Sequence, residues 1–421
     1  MILFKLIQVL LPRIFITSIV LLFIRSGTFL PVPGVNHDQL AFSALQQNLV
    51  SQDLIRTFLG DKVFIIGLFM LNIFPAINAT IILQFLIGFS PQLSKLQKEG
   101  DFQGRREISR LTRKITLGLA VIQSGGVALY LRPLLLDWNI ILASQIVIWL
   151  TAGAMIVLWL SEVITDHGLG NGTSVLVYIN IVSNLPNLIQ KIINESNENP
   201  IGISIMSMFS LSILILLALY AIVFLQSSTL NIYLISSKRL NRMSVQYDDY
   251  EDDGVTYLPL RFNQAGVMPI ILTTSFLVIP NYIINLGIFQ ELNFLTNYKW
   301  IYWIGYFILI LAFSSFYSSM VLNPKDISDQ LQKSAAKIPG VRPGIQTIFY
   351  LKQEIKRITL IGATLLAFIT IVPNFIESTL HITSLNGLST TSFLILGGVV
   401  LDLKREIGNI YYSEVYLDVY R

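Results

Sequence analysis

The chain of 421 residues has no cysteine, only three histidines and few charges. Without cysteine there is no disulfide, no thiolate nucleophile and no cysteine metal site, and the redox compartment is left undetermined. His37, His167 and His381 lie near loops and far apart in sequence, and no HExxH or other metal spacing occurs. That argues against a zinc protease. Serine-glycine pairs such as Ser124–Gly125 have no histidine at a plausible depth, so a serine protease is also a weak reading. Charged residues make up 13% of the chain, against roughly 25% in soluble domains. Arg25, Glu162 and Glu377 fall near the ends of apolar stretches, where snorkelling to an interface explains them. The midplane ionisable group that proton- or ion-coupled carriers usually hold is missing.

What fills the chain is apolar: 53% of residues are hydrophobic. Charge-free windows run Val63–Pro91, Ile115–Leu131, Trp138–Ser161, Pro200–Ser237, Phe262–Gln290, Trp300–Pro324, Ile358–Ile376 and Ser378–Leu401. Crossing the hydrocarbon core of a bilayer takes roughly 20 residues of helix. Two weaker windows, Ile14–Ile24 and His167–Gln190, bring the expected number of spans to ten. Lipid admits only helices or closed barrels, and continuous runs of this length are helices. The expected class is an all-α polytopic membrane protein. The first run lacks a small-residue cleavage site before Arg25 and reads as a retained span.

Lysine and arginine fall in alternate loops. Of 29 such residues, only Arg25, Arg56, Lys62, Arg132, Lys191 and Lys299 lie on one side. The others crowd the N-terminus, the loops after spans two, six and eight, and the C-terminal tail. The positive-inside rule then places both termini and the basic loops in the cytoplasm, or in stroma for an organelle. Asn194–Pro200 (NESNENP) is the most polar short stretch of the opposite face, and it falls between spans five and six. Two five-span halves in tandem must lie in opposite orientations, the geometry of an inverted repeat. Pro75 and Pro269, in the second span of each half, read as paired interruptions along an interior path.

Amides and hydroxyls are scattered within the spans: Asn72, Asn78, Thr80, Gln84, Gln123, Ser124, Asn180, Asn184, Gln264, Thr273 and Thr274. Interhelical hydrogen bonding accounts for most such residues; a seam that opens to water is the functional alternative. Gly168–Gly172 (GLGNG) lacks GxxxxGK[ST] and a preceding soluble strand, so it reads as a tight turn opening span five. Ile73, Ile77 and Ile81 form one stripe at i, i+4, i+8.

Six motifs then occur in order: Phe29–Val35 (FLPVPGV), Phe74–Gln84 (FPAINATIILQ), Gly104–Arg113 (GRREISRLTR, the basic loop after span two), Gly168–Ser174 (GLGNGTS), Leu258–Ile271 (LPLRFNQAGVMPII) and Asn323–Thr347 (NPKDISDQLQKSAAKIPGVRPGIQT). Together they resemble the SecY family, channel subunits of the Sec protein translocase, over essentially the whole chain. The LPLRFNQAGVMPII form and the short tails look most like the cyanobacterial and plastid-encoded branch. That favours a plastid thylakoid membrane over a bacterial plasma membrane.

The resemblance implies ten helices in two inverted halves, 1–193 and 201–421, hinged at 194–200 around a central pore. It implies a ring of apolar side chains at Ile73, Ile77, Val177, Ile181, Ile271 and Ile395. Such a collar would seal around a moving chain, and a narrow dry neck resists ion leakage by dewetting. It implies a plug helix near Leu54–Phe64, with Leu54, Phe58 and Phe64 as its apolar side chains, although LIRTFLGDKVF is more charged and less glycine-rich than usual. It implies a lateral gate with Gln84, Gln123 and Thr273, and docking through Arg105, Arg106, Lys337 and Arg342 in the large loops 226–261 and 323–357. The family's partners are SecE, a SecG-type subunit, the SecA motor ATPase, the translating ribosome, translocating preproteins and the lipid bilayer. No cofactor is implied, and the expectation is a passive channel, not an enzyme. One departure is the run Asp248, Asp249, Glu251, Asp252 and Asp253, which makes the loop after span six locally acidic. The rival expectation is a small-solute secondary carrier built from inverted repeats.

Overall fold

The computed structural model describes residues 2–33, 67–90, 102–132, 138–183, 219–236, 257–264, 299–380 and 390–419, with isolated positions between them. Every apolar window carries helix among these residues. Span one is Ile2–Gly27, span two Phe74–Phe89, span three Phe102–Leu131 and span four Ile140–His167. Span five is Gly172–Ser183. Spans six and seven are described in part, over 219–227 and 268–270. Span eight is Lys299–Val321, span nine Ile345–Leu380 and span ten Thr390–Val419. Large apolar side chains such as Leu22, Phe89, Ile122, Ile140, Trp159 and Phe368 stand exposed on these helices. In water that surface would aggregate; in lipid it meets its own kind.

Several boundaries differ from the charge-free windows, for one physical reason. A helix needs apolar residues only where it meets lipid, and beyond that its charged side chains can stand in water. Span three therefore begins at Phe102, so the basic stretch Gly104–Arg113 is helix and not loop. Span nine begins at Ile345 and carries Lys352, Lys356 and Arg357 on its first turns. Span ten, described over Thr390–Val419, runs on past its window through Lys404 and Arg405. Pro75 is likewise no interruption: it stands in the first turn of the span-two helix, where its missing N–H costs nothing.

The contacts divide the chain into two units, Met1–Met208 with Thr383–Arg421, and Phe209–Ile382. In the first, span three packs between spans two and four, and span one packs on spans four and ten. The apolar core here joins Ala120, Ala128 and Leu131 of span three to Ile146, Leu150 and Ala154 of span four, with Val32 and Leu71 inserted from the connections. The FLPVPGV segment is thus a core contributor. Its Leu30 carbonyl accepts the Leu68 amide at 2.9 Å, and Pro31 bridges Gly67.

The second unit is not wholly helical. Strand β1 (Thr229–Tyr233) pairs antiparallel with β3 (Tyr257–Arg261), and β2 (Ile235–Ser236) pairs with β4 (Ala336–Lys337). These strands lie in the loops after spans six and eight, and the described spans themselves are helical. Pro259 fits because β3 is an edge strand, where a missing N–H breaks no ladder. Ile232, Leu260, Leu331, Ile338, Leu351, Ile355 and Ile358 form one buried cluster that fuses both loops to the start of span nine. Spans eight and nine pack along their length.

Candidate pore neck, gate and docking loop

Span two starts from a tightly held segment, 67–73. A Cβ on Gly67 would overlap the Thr28 carbonyl, and one on Gly153 of span four would overlap the Leu68 carbonyl. Asn72 adopts φ +48°, a left-handed conformation that asparagine tolerates, and its Oδ1 accepts the Ile73 amide at 2.9 Å. Ile73 and Ile77 follow, only 1% and 5% exposed. Their i, i+4 spacing puts both on one helix face. Val177 and Ile181 hold the same spacing on span five and are half-buried, as is Ile395 on span ten. These five belong to the first unit. Ile271, the plug positions Leu54, Phe58 and Phe64, the segment 194–200 and the acidic run 248–253 lie outside the described residues.

The GLGNG turn is where helices converge, as its composition suggests. Gly170 has φ +82°, which strains any side-chain-bearing residue. A Cβ on Gly168 would press on Thr17 of span one, one on Gly170 on Leu403 of span ten, and one on Gly172 would overlap the Ser161 carbonyl. Thr165 Oγ1 donates to the Ser161 carbonyl and accepts the Gly172 amide, both at 2.9 Å. Span five is thereby fixed to the end of span four.

At the gate positions, Gln84 and Gln123 are half-buried. Thr273 is fully buried, and its hydroxyl donates to the Pro269 carbonyl at 2.7 Å. Its proton is spent within its own helix, leaving only acceptor capacity for another group.

The loop after span eight is a folded projection. Asn323 caps the helix Pro324–Lys333 through its side chain, β4 follows, and Gly340 (φ +77°) and Gly344 (φ +103°) turn the chain into span nine. Lys337 and Arg342 are exposed on this projection. The Arg342 backbone is pinned because its carbonyl accepts the Thr347 hydroxyl at 2.9 Å. Arg105 and Arg106 sit on the first turns of span three, with Arg106 exposed.

One pair escaped the sequence reading. Arg113 Nε and Nη2 donate to Glu162 Oε1 and Oε2 at 2.9 and 2.7 Å, a bidentate bridge between spans three and four. Glu162 is therefore a partner of Arg113, not merely a snorkelling end residue. Forty-nine residues separate the two, and no local pattern signals such a pairing. Among the described residues no group of His, Cys, Asp and Glu side chains converges as a metal site.

These features are those of a polytopic helical membrane protein. The family model described as SecY matches residues 67–404. A protein translocase subunit SecY of Trieres chinensis is 53% identical over 420 residues, covering 98% of each chain. One of Synechocystis is 38% identical over 418 residues, covering 96% of this chain and 92% of the other. A solved structure described as that of a protein conducting channel has a TM-score of 0.67 at 17% identity, covering 96% of this chain and 93% of its own. The chain belongs to the SecY family.

Proposed function

We propose that the chain is the protein-conducting channel subunit of a Sec translocase. It passes unfolded polypeptides across a membrane and releases apolar segments sideways into lipid. The observation that carries this is family membership over 67–404, with relatives that align nearly end to end and bear the translocase name. The small-solute carrier reading finds no support in these relatives.

Within that function, Ile73, Ile77, Val177, Ile181, Ile271 and Ile395 form the neck. Apolar side chains without donors or acceptors bind no particular sequence, and a dry constriction holds back ions. Leu54, Phe58 and Phe64 belong to the plug, and Gln84, Gln123 and Thr273 loosen the lateral seam. The hinge is 194–200, dividing the chain into halves 1–193 and 201–421. Arg105, Arg106, Lys337 and Arg342 meet a cytoplasmic partner, the SecA motor or the translating ribosome. An always-charged planar guanidinium suits carboxylates or RNA phosphates. SecE and a SecG-type subunit complete the complex. The basic loops and both termini face the stroma, following the positive-inside asymmetry. The higher identity to the Trieres relative than to the Synechocystis one, with the motif forms noted above, favours the thylakoid membrane.

The test is reconstitution with SecE, SecG-type and SecA partners in vesicles. A signal-bearing preprotein becomes protease-protected only when ATP and all subunits are present. Absence of protection, with the complex intact and correctly inserted, overturns the reading.

A further inference from the structure

The Arg113–Glu162 bridge lies at a junction. Glu162 precedes by three residues Thr165, whose hydroxyl accepts the Gly172 amide, and follows Ser161, whose carbonyl lies against Gly172. Gly172 opens span five, and Val177 and Ile181 follow within the next three turns. The bridge ties span three to the same helical turn of span four from which span five is hung. Ser124 and Thr151, hydroxyl to hydroxyl at 3.1 Å, make a second, more distant tie between spans three and four.

We infer that Arg113 and Glu162 are positioning residues that hold span five, and with it Val177 and Ile181, in the sealed arrangement of the resting channel. The inference rests on the channel reading and on the neck proposed above. Surface ion pairs commonly contribute little, but bidentate arginine–carboxylate geometry is the exception. Here the two partners are 54% and 28% exposed, so ions of the solvent reach the pair. The seal should therefore respond to ionic strength through this pair.

The experiment uses the complete complex in vesicles of phosphatidylcholine and phosphatidylglycerol, with release of a trapped, small uncharged solute as the measure of leak. Arg113→Gln and Glu162→Gln should each raise resting leak by about two- to thirtyfold, the range that couplings of 0.5–2 kcal/mol span. The swap, Arg113→Glu with Glu162→Arg, should recover at least about half of the lost seal, as expected of a pair whose effects couple. Wild-type leak should rise from about 0.1 M to about 1 M salt, as the Debye length falls from roughly 10 Å to roughly 3 Å. The glutamine variants should leak equally at both. Glu162→Asp, which keeps the charge and shortens the reach, gives an intermediate leak and serves if a glutamine variant does not assemble. Tight glutamine variants, or a swap as leaky as the single changes, would overturn the inference. Preprotein protection by the wild-type complex in the same vesicles separates that outcome from failure of the channel reading itself.

Discussion

The two units of the molecule are held together by different means. The unit formed by Met1–Met208 and Thr383–Arg421 relies on backbone meeting backbone: Gly67 against Thr28, Gly153 against Leu68, Gly172 against Ser161. With no water or hydrophobic drive to press helices together in lipid, such small-residue contacts supply van der Waals packing instead. The unit Phe209–Ile382 uses that device at Gly362, which meets the Phe262 carbonyl. Beyond it stands something the first unit lacks among the described residues: paired strands and an apolar cluster built from two loops and a helix start. One unit, among its described residues, is organised like a membrane protein. The other carries a soluble-type subdomain whose core is driven by the hydrophobic effect.

The largest effect is expected at Arg342. Arg342→Glu should lower partner-driven translocation by more than about tenfold, since a contact charge at the centre of an interface carries 2 kcal/mol or more. Membrane insertion should be unchanged, because the remaining basic residues still set topology. Arg110→Glu, exposed on the span-three extension of the other unit, is the matched control. Equal losses from both would mean that bulk charge matters and that the projection has no special standing.

Next in size is Gly362→Val. The added side chain must displace the Phe262 backbone, and overpacking of this kind costs about 1–3 kcal/mol. Thermal unfolding in detergent should shift down, and proteolysis of the loop projection should speed up. Gly305→Val on span eight, where a Cβ meets nothing within 4 Å, should leave both nearly unchanged. If the two behave alike, close backbone approach is not what joins the subdomain to span nine.

Ile77→Asn tests the first unit. An amide at a position 5% exposed costs about 1–3 kcal/mol unless it finds a partner or water. The resting neck should hydrate, and a reporter with a defective signal should cross more readily, along with higher ion conductance. If neither rises, Ile77 does not line the constriction.

How much of this was legible follows the same divide. The spans could be read because a bilayer imposes a length and a composition on each. The GLGNG turn could be read because only glycine tolerates φ +82° at Gly170 beside such close neighbours. The first turns of span three were hidden by their own charges, since Arg105, Arg106, Arg110 and Arg113 look like loop until helix continuity is seen. Strands β1 and β3 escaped notice because each is five residues long, and a proline at 259 argues against a strand unless it lies at an edge. The Arg113–Glu162 bridge and the cluster linking Ile232 to Ile338 and Leu351 depend on tertiary approach, which no local pattern records.

The smallest expected effects come from two hydroxyl pairs, one in each unit. Ser318 and Thr359 meet at 2.7 Å between spans eight and nine, and both are buried. Ser124 and Thr151 meet at 3.1 Å between spans three and four. The Ser124 hydroxyl also reaches the Val121 carbonyl at 3.0 Å, so that carbonyl competes with Thr151 for its proton. Removing either partner in lipid is softened because the freed hydroxyl turns to the carbonyl of its own preceding turn, as Thr80, Ser144 and Ser315 already do. Alanine double-mutant cycles should therefore give about 0.6 kcal/mol of coupling for Ser318–Thr359, the average for interhelical hydrogen bonds in membrane proteins. The longer Ser124–Thr151 pair should give less, because a stretched and shared bond loses strength. Unfolding in mixed micelles measures both. A coupling for Ser124–Thr151 that equals or exceeds that of Ser318–Thr359 would show that the first unit leans on polar ties between its spans as much as the second, and the contrast drawn between glycine packing and a soluble-type core would have to be redrawn.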